Sequence, residues 1–225
     1  MKFKAVIFDL DGTLLDSLDG IADSMNLLLE QMGYPVHPLD KYKYFIGVGI
    51  TELVKRALPG DWQGNIQSAS SKQPGIDRLI SDYRKIYDVE WPKKTKPYSD
   101  IPKLLDLLSR KDIKIAVLSN KSHDFTRRMV LELLGGWHFD AVLGGRPGVP
   151  GKPDPAAALE IAKTIDTNPE DIVFLGDSGV DMQTAVNAGM YPVGVLWGFR
   201  EAEELLANGA SVLINQPMDF VDILE

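Results

Sequence analysis

The sequence predicts an α/β fold, a Rossmann-like parallel sheet covered by helices and interrupted by an all-helical insert. Three observations carry this. A continuous apolar run, AVIF at 5–8, stands by itself near the N-terminus, closed by an acidic pair and a glycine. From residue 98 to 225, apolar runs of strand length alternate with helical stripes of about ten residues, the rhythm of βαβ crossovers in a parallel sheet. Between the two, residues 16–97 carry mainly helical spacing.

In chain order, FKAVIFDLDG reads as a buried strand ending in a turn. Leu18, Ile21, Met25, Leu28, Leu29 and Met32 recur at helical spacing, and Gly33 with Pro35 stops that helix. Ile50, Leu53, Val54 and Ala57 make a second stripe, and Ile76, Leu79, Ile80, Tyr83 and Tyr87 a third, with the polar loop QSASSKQPG between them. WPKKTKPYSD reads as a linker. There follow a helix from Pro102 to Arg110, strand IKIAVLSN, helix Phe125 to Leu134, strand DAVLGG, helix Pro155 to Lys163 and strand DIVFLGDS. A helix through Ala188, strand YPVGVLW, a short helix near Leu205 and strand SVLI complete the series. The lone first strand needs neighbours, which the later set supplies. Residues 1–15 and 98–225 are therefore expected to form one α/β domain and 16–97 its helical insert.

Composition narrows the function. At roughly 100–200 residues per domain, 225 residues allow one large domain or one with a smaller companion. Apolar residues at 44% and charged residues at 25% are ordinary for a globular chain, which excludes disorder as the main state. The absence of cysteine removes disulfides, thiolate metal sites and cysteine nucleophiles, and fits a reducing compartment. A net charge of −8 is the wrong sign for neutralising nucleic-acid phosphates. No apolar run reaches the roughly 18 residues that span a membrane, and AVIF is shorter than a signal-peptide core of about 7–15. The expectation is a cytoplasmic protein, monomeric or a homodimer, acting on a small molecule without nucleic-acid or membrane partners.

In an open parallel sheet, ligands bind beyond the carboxyl ends of the strands, near the topological switch point. There the first strand ends in Asp9 and Asp11, the next in Ser119 and Asn120, and a later one in Asp177, with Asp181 a helical turn further on. Lys152 stands in the loop GVPGKPDP just before a helix. Carboxylates from two strand ends repel unless a cation sits between them, and oxygen ligands suit a hard ion such as Mg²⁺. With that ion, Lys152, the Ser119 hydroxyl and backbone N–H groups of the turn Asp11, Gly12 and Thr13 can hold a phosphate. Asp9 can act as a nucleophile toward phosphorus and Asp11 as acid and then base. Taken singly, each residue has an ordinary reading as turn, strand exit, helix cap or solvated lysine. Their joint order and placement point to a site. Because Lys152 and Ser119 sit at a loop and a strand end, their loss is expected to weaken phosphate binding and to spare the fold.

FDLDGTLLDS, LSNK, GKPDP and GDSGVDMQTAVNAG, in this order, resemble the four motifs of the haloacid dehalogenase superfamily. The likeness covers the α/β part, with the insert where that family carries its C1 cap. FIGVGITELVKRAL, and LGGRPGVPGKPDPAAALEIA with the helix after LSNK, resemble bacterial phosphoglycolate phosphatases. The resemblance implies Mg²⁺-dependent hydrolysis of a small phosphate monoester, 2-phosphoglycolate foremost, through an aspartyl phosphate on Asp9. It implies Asp11 as the proton shuttle, and Asp9, Asp177 and the Asp11 backbone carbonyl as metal ligands. Ser119 and Lys152 would hold the phosphoryl oxygens, and Asp181 would orient Lys152 or a metal-bound water. Leu10 and Asn120 are assigned to substrate binding. So are Gly47 and Gly49 of the cap, whose lack of a side chain lets backbone approach a small ligand. Lys55 and Arg56 are cap candidates for a substrate carboxylate, and Lys121 could face the pocket or solvent.

A β-phosphoglucomutase-like isomerase would use the same aspartyl phosphate, and a receiver-like signalling module a similar cluster. Asp11, two residues from Asp9, offers a base for water and so favours turnover over a persistent phosphate. Other motifs fail on inspection. GDSGV lacks the last glycine of G-x-S-x-G, and Lys152 is followed by proline where a phosphate-binding loop of NTPases needs Ser or Thr. His37, His123 and His138 have no metal-ligand spacing, and the four tryptophans, Trp62, Trp91, Trp137 and Trp197, are scattered.

Overall fold

The computed structural model describes residues 3–60, 62 and 75–224, which leaves most of QSASSKQPG outside the described residues. The chain divides into two units, Met1–Asp16 with Lys96–Glu225, and Ser17–Thr95. In chain order the first opens with β1 (Ala5–Phe8) and β2 (Leu15–Asp16). The second contains α1 (Leu18–Gln31), α2 (Leu39–Phe45), α3 (Ile50–Ala57) and α4 (Ile76–Lys94). The first then resumes with β3 (Lys96–Pro97), α5 (Ile101–Arg110), β4 (Lys114–Ser122), α6 (His123–Leu134), β5 (Ala141–Gly145) and α7 (Ala156–Thr164). It finishes with β6 (Ile172–Gly176), α8 (Gly179–Ala188), β7 (Tyr191–Val195), α9 (Ala202–Ala207), β8 (Val212–Ile214) and α10 (Phe220–Leu224).

The first unit is built on a parallel sheet of order β5-β4-β1-β6-β7-β8. The N-terminal strand thus lies inside the sheet, between β4 and β6, and all four of its residues are fully buried, as its unbroken apolar run requires. From β1 the chain builds outward on the β4 side and later returns to the β6 side, so the switch point lies at β1. One face of the sheet presents Ala5, Ile7, Ala116, Leu118 and Phe174 to Ala157, Ala158, Ile161 and Ala162 of α7 and Ala185 of α8. Alanines let these helices approach the strands closely while burying apolar surface at roughly 25 cal/mol per Å². β2 and β3 pair antiparallel, Leu15 opposite Pro97 and Asp16 opposite Lys96, an element absent from the sequence reading.

In the second unit, Ile21, Met25, Leu28 and Leu29 of α1 and Tyr83, Tyr87 and Trp91 of α4 are buried. Gly33, at φ 73, takes the left-handed conformation that ends α1. The segment expected as a linker begins as helix: α4 continues to Lys94 with Pro92 inside it. Trp91 is fully buried and anchors that last turn, where a proline forfeits one backbone bond without interrupting a longer helix. β4 also outruns its expected end. It continues to Ser122 with its register against β5 shifted between Leu118 and Ser122, so Ser119 and Asn120 lie within an irregular strand.

Candidate active site

Asp9 directly follows β1 and Asp177 directly follows β6. These strands are neighbours with Phe8 opposite Leu175, and the Asp9 N–H donates to the Leu175 carbonyl at 2.9 Å. Parallel strands lie about 4.8 Å apart, so the two carboxylates are forced together by the register. Asp181, on the first turn of α8, joins them, and carboxylate oxygens of Asp9, Asp177 and Asp181 lie within 4.8 Å of one another. Such proximity needs space. A Cβ on Gly12 or Gly198 would fall onto the Asp177 side chain, and one on Gly176 onto Asp181.

Lys152, in the loop between β5 and α7, enters this cluster with its Nζ 2.8 Å from Asp9 Oδ1 and 2.6 Å from Asp181 Oδ1. Asn120 sets its position: Oδ1 accepts from the Lys152 N–H at 2.8 Å, and Nδ2 donates to the Lys152 carbonyl at 3.0 Å. Gly151 makes room for that clamp, since a Cβ there would stand 2.7 Å from Asn120 Oδ1. Asp181 spends its other oxygen on Ser178, accepting from the hydroxyl at 2.6 Å and the N–H at 3.1 Å in the capping box of α8. Asp177 Oδ2 accepts from the Phe199 N–H at 2.8 Å.

On the β4 side, Ser119 is buried and its Oγ accepts from the Lys121 N–H at 3.2 Å. Lys121 faces the site: its Nζ lies 3.2 Å from Asp11 Oδ2. The Leu10 side chain is fully buried, and the Leu10 carbonyl accepts from the N–H groups of Thr13, Leu14 and Leu15. Leu10 as a whole has no exposed surface, backbone included. The expectation that the turn offers N–H groups to phosphate fails for Gly12 and Thr13, whose N–H groups donate to Leu15 and Leu10 carbonyls. The cause is the tightness of the turn, which Gly12 at φ 89 permits.

Burial pushes the Asp9 carboxyl up to about 7, reinforced by the charge of Asp181 and opposed by Lys152. Burial likewise holds Asp177 well above the usual carboxylate range, with Asp181 and Asp9 adding repulsion. Burial works against the Lys152 ammonium, but Asp181 and Asp9 outweigh it and its pKa is raised. Three buried carboxylates therefore share one buried lysine. Asp9 Oδ1, although beside Lys152 Nζ, is buried without an aligned hydrogen bond. A buried all-oxygen cluster whose three carboxylates outnumber its single lysine carries surplus negative charge and fits a divalent hard cation.

Sequence reasoning missed the loop after β7. There the Trp197 indole N–H donates to the Thr13 carbonyl at 3.0 Å, Gly198 clears space for Asp177, and the Phe199 N–H holds that carboxylate. A glycine between two aromatics just past a buried strand is the signal that marks it. Of the residues assigned to the insert, Gly47 and Gly49 belong to the helical unit, at φ 110 and 95. In the same unit Lys55 pairs with Glu52 at 2.8 Å, and Arg56 donates to the Tyr44 carbonyl at 2.7 Å.

The model of the haloacid dehalogenase-like hydrolase family matches residues 3–189. The chain is 32% identical over 207 residues to a phosphoglycolate phosphatase of Nitrosospira multiformis, covering 91% of this chain and 88% of that protein. It is 27% identical over 224 residues to one of Aquifex aeolicus, covering 99% and 97%. Among solved structures, a protein of Lactobacillus delbrueckii subsp. bulgaricus superposes with a TM-score of 0.88 at 31% identity, over 100% of this chain and 99% of that one.

Proposed function

The chain belongs to the haloacid dehalogenase-like hydrolase family, and from that premise we propose that it is a phosphatase that hydrolyses 2-phosphoglycolate through an aspartyl phosphate on Asp9. The observation that carries this is the buried cluster of Asp9, Asp177, Asp181 and Lys152 at the carboxyl end of β1 and β6, a site for a cation and a phosphoryl group together. The shared name of the relatives at about 30% identity supports the substrate.

Asp9 attacks phosphorus through a carboxylate oxygen, the bond from phosphorus to the ester oxygen breaks, and Asp11 delivers a proton to that oxygen. In the second half-reaction Asp11 removes a proton from water as the water oxygen attacks phosphorus. The Asp9–phosphoryl bond then breaks, releasing phosphate and restoring the carboxylate. Lys152 Nζ and the Ser119 hydroxyl hold the phosphoryl oxygens; Ser119 Oγ accepts from Lys121 and keeps its own proton to donate. Asp9 and Asp177, with the Asp11 backbone carbonyl, would hold Mg²⁺, which supplies charge neutralisation for the phosphoryl oxygens. Asp181 acts on Lys152 instead, because its oxygens are taken by Lys152 and Ser178.

The test is phosphate release from a panel of esters, with and without Mg²⁺, by wild type and Asp9→Asn. The reading requires Mg²⁺-dependent turnover selective for 2-phosphoglycolate over sugar phosphates, and loss of turnover in Asp9→Asn. A variant that keeps most of the wild-type rate excludes Asp9 as the nucleophile.

A further inference from the structure

We propose that Lys121 selects the leaving group by pairing with an α-carboxylate, one attached to the carbon that bears the ester oxygen; this rests on the phosphoglycolate reading and names the residue that recognises the acid. Two lysines approach the described site, and they differ in depth. The Lys152 side chain is 2% exposed and held between Asp9 and Asp181, the place of the phosphoryl group. The Lys121 side chain is 11% exposed and stands 3.2 Å from Asp11 Oδ2. Since Asp11 delivers its proton to the ester oxygen, a cation touching the Asp11 carboxylate stands beside the leaving group and not beside phosphorus. In 2-phosphoglycolate the carboxyl carbon is two bonds from that oxygen, within reach of the same ammonium. A lysine has three donors, so one can stay on Asp11 while another meets the substrate acid.

The position is also built. The Lys121 N–H donates to Ser119 Oγ at 3.2 Å, and its carbonyl accepts from the Thr126 hydroxyl at 3.1 Å. Gly144 lies so close that a Cβ there would stand 2.6 Å from the Lys121 carbonyl. The backbone of Lys121 is thus held next to Ser119, the residue that binds the phosphoryl group, by contacts within β4 and from α6 and β5.

The experiment measures kcat and KM of wild type, Lys121→Gln and Lys121→Arg, with Mg²⁺ supplied, on three esters of similar size. These are 2-phosphoglycolate, neutral-tailed ethyl phosphate, and phosphoethanolamine with an ammonium tail. Wild type is expected to prefer phosphoglycolate over ethyl phosphate by roughly 10–100-fold in kcat/KM, the scale of one hydrogen bond to a charged group. Lys121→Gln should collapse that ratio, mainly through KM, and raise phosphoethanolamine relative to ethyl phosphate. Lys121→Arg should keep most of the preference. Equal losses on all three esters would overturn the proposal, because a residue acting only on Asp11 or on the fold cannot read the tail. A preference that survives in Lys121→Gln overturns the assignment of Lys121 alone, whereas a wild type without preference overturns the phosphoglycolate reading as well.

Discussion

Replacing Asp9 with asparagine should stabilise the protein in the absence of divalent cations at pH 8 while it abolishes turnover. In the fold the Asp9 carboxyl is pushed up from 3.8 to about 7, first by burial and then by Asp181. A carboxyl raised in this way binds its proton more tightly folded than unfolded. Its contribution is fully present below the unfolded value and is lost as pH rises through about 7. At 1.36 kcal/mol per pH unit, the loss between those values is on the order of 4 kcal/mol. Asparagine does not ionise, so the variant escapes that loss and still offers Oδ1 to Lys152. Urea denaturation of both proteins in EDTA at pH 5, 6.5 and 8 measures it. The stability advantage of Asp9→Asn should widen with pH, toward about 4 kcal/mol at pH 8, read as a higher urea midpoint at unchanged slope. Added Mg²⁺ should raise wild-type stability far more than that of the variant. Parallel pH dependences for the two proteins between pH 5 and 8 would refute the account of Asp9 as a buried, repelled carboxylate.

Lys152→Ala should cost about 3–5 kcal/mol of stability at pH 8 without divalent cations, because it strands Asp9 and Asp181 in a buried site; this reverses the expectation that loss of a loop lysine spares the fold, and an unchanged urea midpoint would restore it. Gly198→Ala drives a methyl group onto Asp177 and within 2.6 Å of the Gly12 carbonyl. A displacement on this scale should lower kcat/KM on the order of 100-fold and shrink the Mg²⁺-induced shift in Tm, and a wild-type shift would show that the loop does not position Asp177. His123 accepts from the Gly144 N–H at 3.1 Å, and its imidazole is held below its ordinary value by burial, then by Arg127 and Arg146. Its contribution is therefore present above the unfolded value of about 6.5 and lost as pH falls through the lower folded value. His123→Asn keeps an acceptor that does not titrate, so the Tm of wild type should drop more than that of the variant between pH 7.5 and pH 5.

The alternation of strands and helices, and the sheet edge on which the polar residues gather, are legible in the residue pattern. AVIF reads as a buried strand, and a parallel sheet delivers Asp9, Ser119 and Asp177 to one end because all of its strands point the same way. Glycine punctuation was legible too, as in Gly33, because a positive φ leaves few alternatives. Periodicity reports which side of an element is buried, but it says nothing of which buried polar group meets which. The tertiary structure decided those partners: Asn120 on the Lys152 backbone, Lys121 on Asp11, and the Trp197 indole on the Thr13 carbonyl. It also turned Lys152 from a loop residue into the buried counter-charge of two carboxylates. The physical reason is that hydrogen bonds and ion pairs are short-ranged and directional. Their partners are set by strand register and loop path across separations of 32 residues for Asn120 and 184 for Trp197, which no local pattern encodes.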